Sequence, residues 1–130
     1  MPRVLIVDDE PWIARTLGTT LTKKGYDVTS AASGKDALYA LSEAIPDVML
    51  LDISLPDITG WEVLRRLSPA DRERVPVVVF SASPLARSRI DEFRPAGVLV
   101  KPFPIDALER LLDEVTGGAA RQAAAITRTT

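Results

Sequence analysis

Apolar residues fall along this chain in short unbroken runs that alternate with longer stretches of helical period. Residues 4–7 (Val-Leu-Ile-Val) form an aliphatic run too short for a helix, ended by Asp8, Asp9 and Glu10, with Pro11 placed for a helix's first turn. The helix that follows puts Ile13, Leu17 and Leu21 on one side and stops at Gly25. Residues 26–30 read as a second strand, and after Gly34 a second helix carries Ala37, Leu38 and Leu41 until Pro46 ends that stretch. Residues 48–51 make a third strand closed by Asp52, and the loop 55–60 leads to a helix with Val63, Leu64 and Leu67 that Pro69 is expected to close. Residues 77–80 and 97–100 read as the fourth and fifth strands. Between them Ala86, Ile90 and Phe93 lie at i, i+4 and i+7 within a stretch bounded by Pro84 and Pro95, which predicts a helix of two or three turns. The last helix, residues 105–115, aligns Ile105, Leu108, Leu111, Leu112 and Val115 and stops at Gly117 and Gly118.

This is βα alternation. Strands made almost wholly of aliphatic residues are buried on both faces, as in a parallel sheet covered by helices, and right-handed crossovers then make the sheet doubly wound. Ligands bind such sheets beyond the carboxyl ends of the strands. The residues to examine are therefore Asp8 and Asp9 after the first strand, Asp52 after the third, Ser81 after the fourth and Lys101 after the fifth.

Composition narrows the chemistry. The 130 residues, 46% hydrophobic and 26% charged, suit one soluble domain. Sixteen Lys and Arg against eighteen Asp and Glu leave a formal charge of −2, so the overall field does not favour nucleic acid. The absence of cysteine and histidine excludes disulfides, thiolate and imidazole metal sites and serine-histidine triads. No apolar run approaches the length of a membrane span, and the N-terminal residues meet acid too soon for a signal peptide, so the expected location is cytoplasmic. Carboxylates, hydroxyls, lysine, arginine and a hard metal ion remain.

Each candidate has a simpler reading: Asp8 and Asp9 as helix caps, Asp52 as a turn residue, Ser81 as a cap and Lys101 as a solvated lysine. Jointly they say more, because three carboxylates, a hydroxyl and an ammonium fall at one end of a sheet assigned from aliphatic runs alone. Two like charges 4 Å apart repel by about 4 kcal/mol at an effective dielectric of 20, so the cluster calls for added positive charge. Oxygen-only donors suit Mg²⁺, which completes its shell with water and phosphate. A carboxylate can act as nucleophile toward a phosphoryl group whose charge the metal, Lys101 and Ser81 would offset.

The residues Val-Leu-Ile-Val-Asp8-Asp9-Glu10, the run from Asp47 through Asp52 and Pro56 to Gly60, the pair Ser81-Ala82 and the run Val100-Lys101-Pro102-Phe103 closely resemble the receiver domain of two-component response regulators. The resemblance covers about residues 3–115, close to the stand-alone chemotaxis-regulator type. It implies a flavodoxin-like, doubly wound, five-stranded parallel sheet of order 2-1-3-4-5 with five flanking helices, a receiver domain over 1–116 and a C-terminal tail over 117–130. It also implies roles. Asp52 is the phosphoacceptor, taking its phosphoryl group from a histidine kinase or phosphotransfer protein. Asp9 and Asp52 ligate Mg²⁺ directly with the Ser54 backbone carbonyl, and Asp8 does so through water. Lys101 and Ser81 hold the phosphoryl oxygens, and Ser81 with position 98 forms the switch. The Lys101-Pro102 bond is implied to be cis. By the same resemblance the domain is not an enzyme acting on a separate substrate, but catalyses its own phosphorylation and slow dephosphorylation.

Two departures stand out. The family usually carries Tyr or Phe where this chain has Val98, and its helix between the fourth and fifth strands is usually longer than Pro84 to Pro95 allows. These affect how a signal leaves the site rather than phosphorylation itself. A receiver-like binding module that is never phosphorylated is the alternative, opposed by the presence of Asp52, Ser81 and Lys101 together. A flavin or nucleotide carrier is opposed by acids where phosphate would sit, and an acid-nucleophile phosphatase by Ser54 where its second acid belongs. Residues 65–94 hold seven arginines against four acids. A solvated surface is the simpler account of them and an acidic partner the sharper one. If the 130 residues are the complete protein, too little chain follows residue 115 for a DNA-binding domain, and the expected output is then a contact with a downstream protein, without membrane or direct nucleic-acid binding by this chain.

Overall fold

The two-residue period of side chains sends alternate residues of the three central strands to opposite faces of the sheet. The computed structural model describes residues 1–117 and contains β1 (Arg3–Val7), α1 (Pro11–Lys23), β2 (Asp27–Ala31), α2 (Gly34–Glu43), β3 (Val48–Asp52), α3 (Gly60–Arg66), α4 (Pro69–Arg74), β4 (Val77–Ser81), α5 (Arg87–Phe93), β5 (Gly97–Val100) and α6 (Ile105–Thr116). All strand pairs are parallel, in the order β2-β1-β3-β4-β5. Val4, Ile6, Val48, Leu50, Val78 and Phe80 point to one face, where Leu17 and Leu21 of α1 and Leu108 and Leu112 of α6 cover them. Their neighbours Leu5, Val7, Met49, Leu51, Val77 and Val79 point to the other, against Ala37 and Leu41 of α2, Val63 and Leu64 of α3 and Phe93 of α5. The three central strands are therefore buried on both faces, whereas β2 and β5 lie at the edges and are partly exposed.

The doubly wound sheet and its strand order agree with expectation, and one helix differs. Pro69 was expected to close the helix after Gly60, and five helices were expected; instead Leu67 ends α3 and Pro69 opens a sixth helix, α4. Proline's missing N–H costs nothing in a first turn, and Ser68 Oγ accepts the Asp71 N–H at 3.1 Å, a local cap that the Ser-Pro-Ala-Asp stretch carries in its own sequence. The expected short helix before β5 is present as α5, only seven residues long. Residues 118–130, most of the expected tail, lie outside the described residues. Among those described, no helix is long and apolar enough to cross a membrane.

Candidate functional site

Parallel strands all end on the same side, and the ends of β1, β3 and β5 bring Asp8, Asp52 and Lys101 together, with Ser81 at the neighbouring end of β4. Asp8, directly after β1, is held by its own backbone: its N–H donates to the Ala31 carbonyl at 3.1 Å, and its Oδ1 accepts the Glu10 N–H at 2.9 Å. Asp52, the last residue of β3, accepts the Ser54 N–H on Oδ1 at 2.9 Å. Both carboxylates thereby turn their Oδ2 atoms toward the end of β5. There the Lys101 ammonium donates to Asp8 Oδ2 at 2.9 Å and to Asp52 Oδ2 at 3.0 Å. The lysine is positioned by its N–H, which donates to the Ser81 carbonyl at 2.7 Å and continues the β4–β5 pairing. The Lys101-Pro102 bond is cis, as expected.

The side chains of Asp8 and Asp52 are 0% and 6% exposed and that of Lys101 16%, so the three charges interact where water screens them little. Burial pushes the Asp8 carboxyl above the usual range, outweighing the Glu10 N–H and Lys101, which both favour its ionised form. Burial also opposes the Lys101 charge, but its bonds to Asp8 and Asp52 outweigh that and raise its pKa. Among the described residues every buried side-chain polar atom has a partner.

One neighbour escaped sequence reasoning. Carboxylate oxygens of Asp8, Glu10 and Asp52 lie within 4.8 Å of one another, whereas Asp9, expected to be a direct ligand, is exposed and stands outside this group. The turn after β1 brings Glu10 to the cluster, because the Asp8–Glu10 hydrogen bond folds the chain so that residues two apart share a side. Glu10 Oε1 lies 3.7 Å from the Lys101 ammonium, and the exposed Trp12 donates its ring N–H to Glu10 Oε2 at 3.0 Å. The acidic run itself was the available signal.

Ser81 is 6% exposed at the end of β4. Its hydroxyl donates to the Ser83 carbonyl, and the Ser83 N–H returns a bond to Ser81 Oγ at 3.2 Å. Val98 is half-buried in β5 beside Val79, and Ser54 is exposed in the loop after β3. That loop turns back tightly: the Gly60 N–H donates to the Ile53 carbonyl at 2.9 Å, and a Cβ at Gly60 would stand 2.6 Å from the Asp52 carbonyl oxygen. Only glycine lets α3 begin so close to the end of β3.

The donor set fits a hard divalent cation. It consists of carboxylate oxygens alone, and three of them face a single ammonium, so the cluster keeps net negative charge.

The model of the response regulator receiver domain matches residues 4–113. The transcriptional regulatory protein KdpE of Mycobacterium tuberculosis is 40% identical over 109 residues, 82% of this chain and 47% of that protein, and AfsQ1 of Streptomyces coelicolor is 40% identical over 82 residues, 63% of this chain and 36% of that protein. The chain thus spans about half the length of KdpE or less of such relatives. Among solved structures, the chemotaxis response regulator CheY4 of Vibrio cholerae superposes with a TM-score of 0.81 at 30% identity, covering 88% of this chain and 98% of that one. The response regulator TrrA of Thermotoga maritima, in complex with Mg²⁺ and BeF, gives 0.78 at 30% identity over 88% and 99%. The β-sheet order, the acidic strand ends and the matched span agree, and the chain belongs to the response regulator receiver domain family of two-component systems.

Proposed function

We propose that Asp52 accepts a phosphoryl group from the phosphohistidine of a sensor kinase or phosphotransfer protein, in a Mg²⁺-dependent reaction, and that the change is passed to a downstream protein. The observation that carries this reading is the Lys101 ammonium shared between Asp8 Oδ2 and Asp52 Oδ2 at the carboxyl end of the sheet. Asp9, Asp52 and the Ser54 backbone carbonyl would hold the ion, with Asp8 reaching it through water and Glu10 beside the cluster. When bound, it would offset negative charge on the phosphoryl oxygens.

The chain's own groups do the rest. One Asp52 oxygen attacks phosphorus while the phosphorus–nitrogen bond to the donor imidazole breaks and its electron pair stays on the imidazole. The Ser54 N–H holds the other carboxylate oxygen and so orients the nucleophile. Once Asp52 carries phosphate, Lys101 keeps its bond to Asp8 and turns its remaining donors to a phosphoryl oxygen. The Ser81 hydroxyl leaves the Ser83 carbonyl and donates to another, drawing residues 81–84 inward. Val98 is β-branched, lacks a hydroxyl and is too short to move between buried and exposed positions, so the backbone from Ser81 to α5 conveys the change. Slow hydrolysis of the acyl phosphate by water returns the domain to its starting state.

The test is incubation with Mg²⁺ and acetyl phosphate, followed by intact-mass measurement. One base-labile phosphoryl group is expected on the parent and none on Asp52→Asn. An unlabelled parent, or equal labelling of both, overturns the proposal and favours a receiver-like binding module that works unphosphorylated.

A further inference from the structure

The loop that follows the proposed phosphoacceptor is tied to a helix that contributes nothing to the acidic cluster. Asp57, in the middle of residues 53–59, accepts the Gly34 N–H on Oδ1 at 2.8 Å and the Lys35 N–H on Oδ2 at 2.9 Å. These are the first two N–H groups of α2. The next two are taken by Ser33, whose Oγ accepts the Asp36 N–H at 3.1 Å and whose carbonyl accepts the Ala37 N–H at 3.0 Å. The Ala37 bond is the first of the helix itself, so the N–H groups of Gly34, Lys35 and Asp36, which a helix start leaves without intrahelical partners, are all met by side chains, two of them by a carboxylate from a distant loop. The carboxylate also meets the positive end of the helix, and its pKa is held down to about 2 by the Gly34 and Lys35 N–H groups.

The contact extends beyond those two hydrogen bonds. A Cβ at Gly34 would stand 2.3 Å from Ile58 Cγ1 and 3.2 Å from Val63 Cγ2, so the residue after Asp57 packs directly on the first turn of α2. The same loop is pinned near its start by the bond from the Ser54 N–H to Asp52, and is closed by the bond from the Gly60 N–H to the Ile53 carbonyl. Apolar contacts of Leu55 and Ile58 with the core hold the loop down but are not directional. Two parallel charge-assisted bonds to consecutive N–H groups are directional.

We propose that Asp57 is a positioning residue: by anchoring residues 53–59 on the start of α2, it holds the Ser54 backbone carbonyl and the Asp52 carboxylate in the arrangement that the divalent cation requires. The proposal rests on the phosphoacceptor reading above. A backbone carbonyl cannot change rotamer, so its place depends entirely on how its loop is held. Ser33 supplies the control, because its side chain caps the same helix through a bond to Asp36 and not through a residue of that loop.

Three variants, Asp57→Ala, Asp57→Asn and Ser33→Ala, are compared with the parent by the Mg²⁺ concentration giving half-maximal labelling of Asp52 by acetyl phosphate. Mg²⁺ affinity in the absence of phosphodonor is read from tryptophan fluorescence. Asp57→Ala should raise both Mg²⁺ midpoints about tenfold, the low end of what losing an outer-shell partner costs a metal site. Asp57→Asn, whose amide keeps one acceptor oxygen, should shift them less, and Ser33→Ala should leave them in place although it lowers the denaturation midpoint. Equal shifts in Asp57→Ala and Ser33→Ala, or no shift in either, overturn the proposal. If the parent is not labelled, the phosphoacceptor reading fails by itself, and the fluorescence titration still decides whether Asp57 positions the cation site.

Discussion

Replacing Lys101 with methionine keeps most of the side chain's bulk and removes the one ammonium that Asp8 and Asp52 share. Their carboxylate oxygens lie within 4.8 Å, so the unshielded repulsion is about 3.5 kcal/mol at an effective dielectric of 20. Each also loses a charge-assisted hydrogen bond in a site with little water. Breaking a buried pair by removing one partner costs about 3–5 kcal/mol, and that is the expected loss at neutral pH in the absence of metal. The loss is pH-dependent with a definite sign. Burial already raises the Asp8 carboxyl above its ordinary value of 3.8, and without Lys101 it rises further. A group whose folded pKa is raised contributes stability that is present below its unfolded pKa and lost as pH rises through the folded value. The difference between Lys101→Met and parent should therefore close as pH falls toward 3.8. Urea denaturation with EDTA present, followed by tryptophan fluorescence, measures it. With a slope of about 1.5 kcal/mol/M, the midpoint falls by roughly 2–3 M at neutral pH and by much less in mild acid. The double variant Lys101→Met with Asp8→Asn should recover most of the loss, because one of the two facing charges is gone. A loss of the same size at both pH values, or none at all, would refute the shared-ammonium account.

Alanine at two glycines should act in opposite directions: Gly60→Ala drives a Cβ to 2.6 Å from the Asp52 carbonyl oxygen and should cost about 1–3 kcal/mol, whereas Gly18→Ala meets only Val28 Cγ1 at 3.8 Å within α1 and should stabilise by about 0.5–1 kcal/mol, both read from denaturation midpoints. For Asp57 the folded pKa is depressed to about 2, so its contribution is present above 3.8 and lost as pH falls from there toward 2; acid unfolding of Asp57→Asn should accordingly be shallower than that of the parent across this window. Phe93 stacks on Trp61 with ring centroids 5.2 Å apart and lies beneath the guanidinium groups of Arg65 and Arg72, so Phe93→Leu should lose about 1–2 kcal/mol by calorimetry, more than its change in buried area alone accounts for. With Mg²⁺ and beryllofluoride, amide exchange should change mainly over residues 81–93 and less over 98–100; a largest change at 98–100, or a response unaltered in Ser81→Ala, counts against transmission through the Ser81 backbone.

Local sequence was enough to find the strands and most of the helices, because period and punctuation are properties of neighbouring residues. Apolar runs of four residues, followed by aspartate after β1 and β3 and by serine after β4, set these strands to within a residue, and the parallel class then told which chain positions share one end of the sheet. The oxygen-only chemistry of the site was equally legible, since a chain without cysteine or histidine has no other strong ligands to offer. The proline at 69 was the local feature read incompletely, as a stop where Ser68 and Asp71 also make it a start. What folding alone decided concerns groups far apart in sequence. Lys101 meets Asp8 and Asp52 across 93 and 49 residues, and Asp57 caps a helix that begins 23 residues before it. That Glu10 lies beside Asp8 and Asp52 depends on how one turn aims its side chains once β1 is fixed between β2 and β3. Such contacts are set by strand register and side-chain direction in three dimensions. The order of residues fixes neither until the sheet has formed and a buried charge, once desolvated, must find its partner.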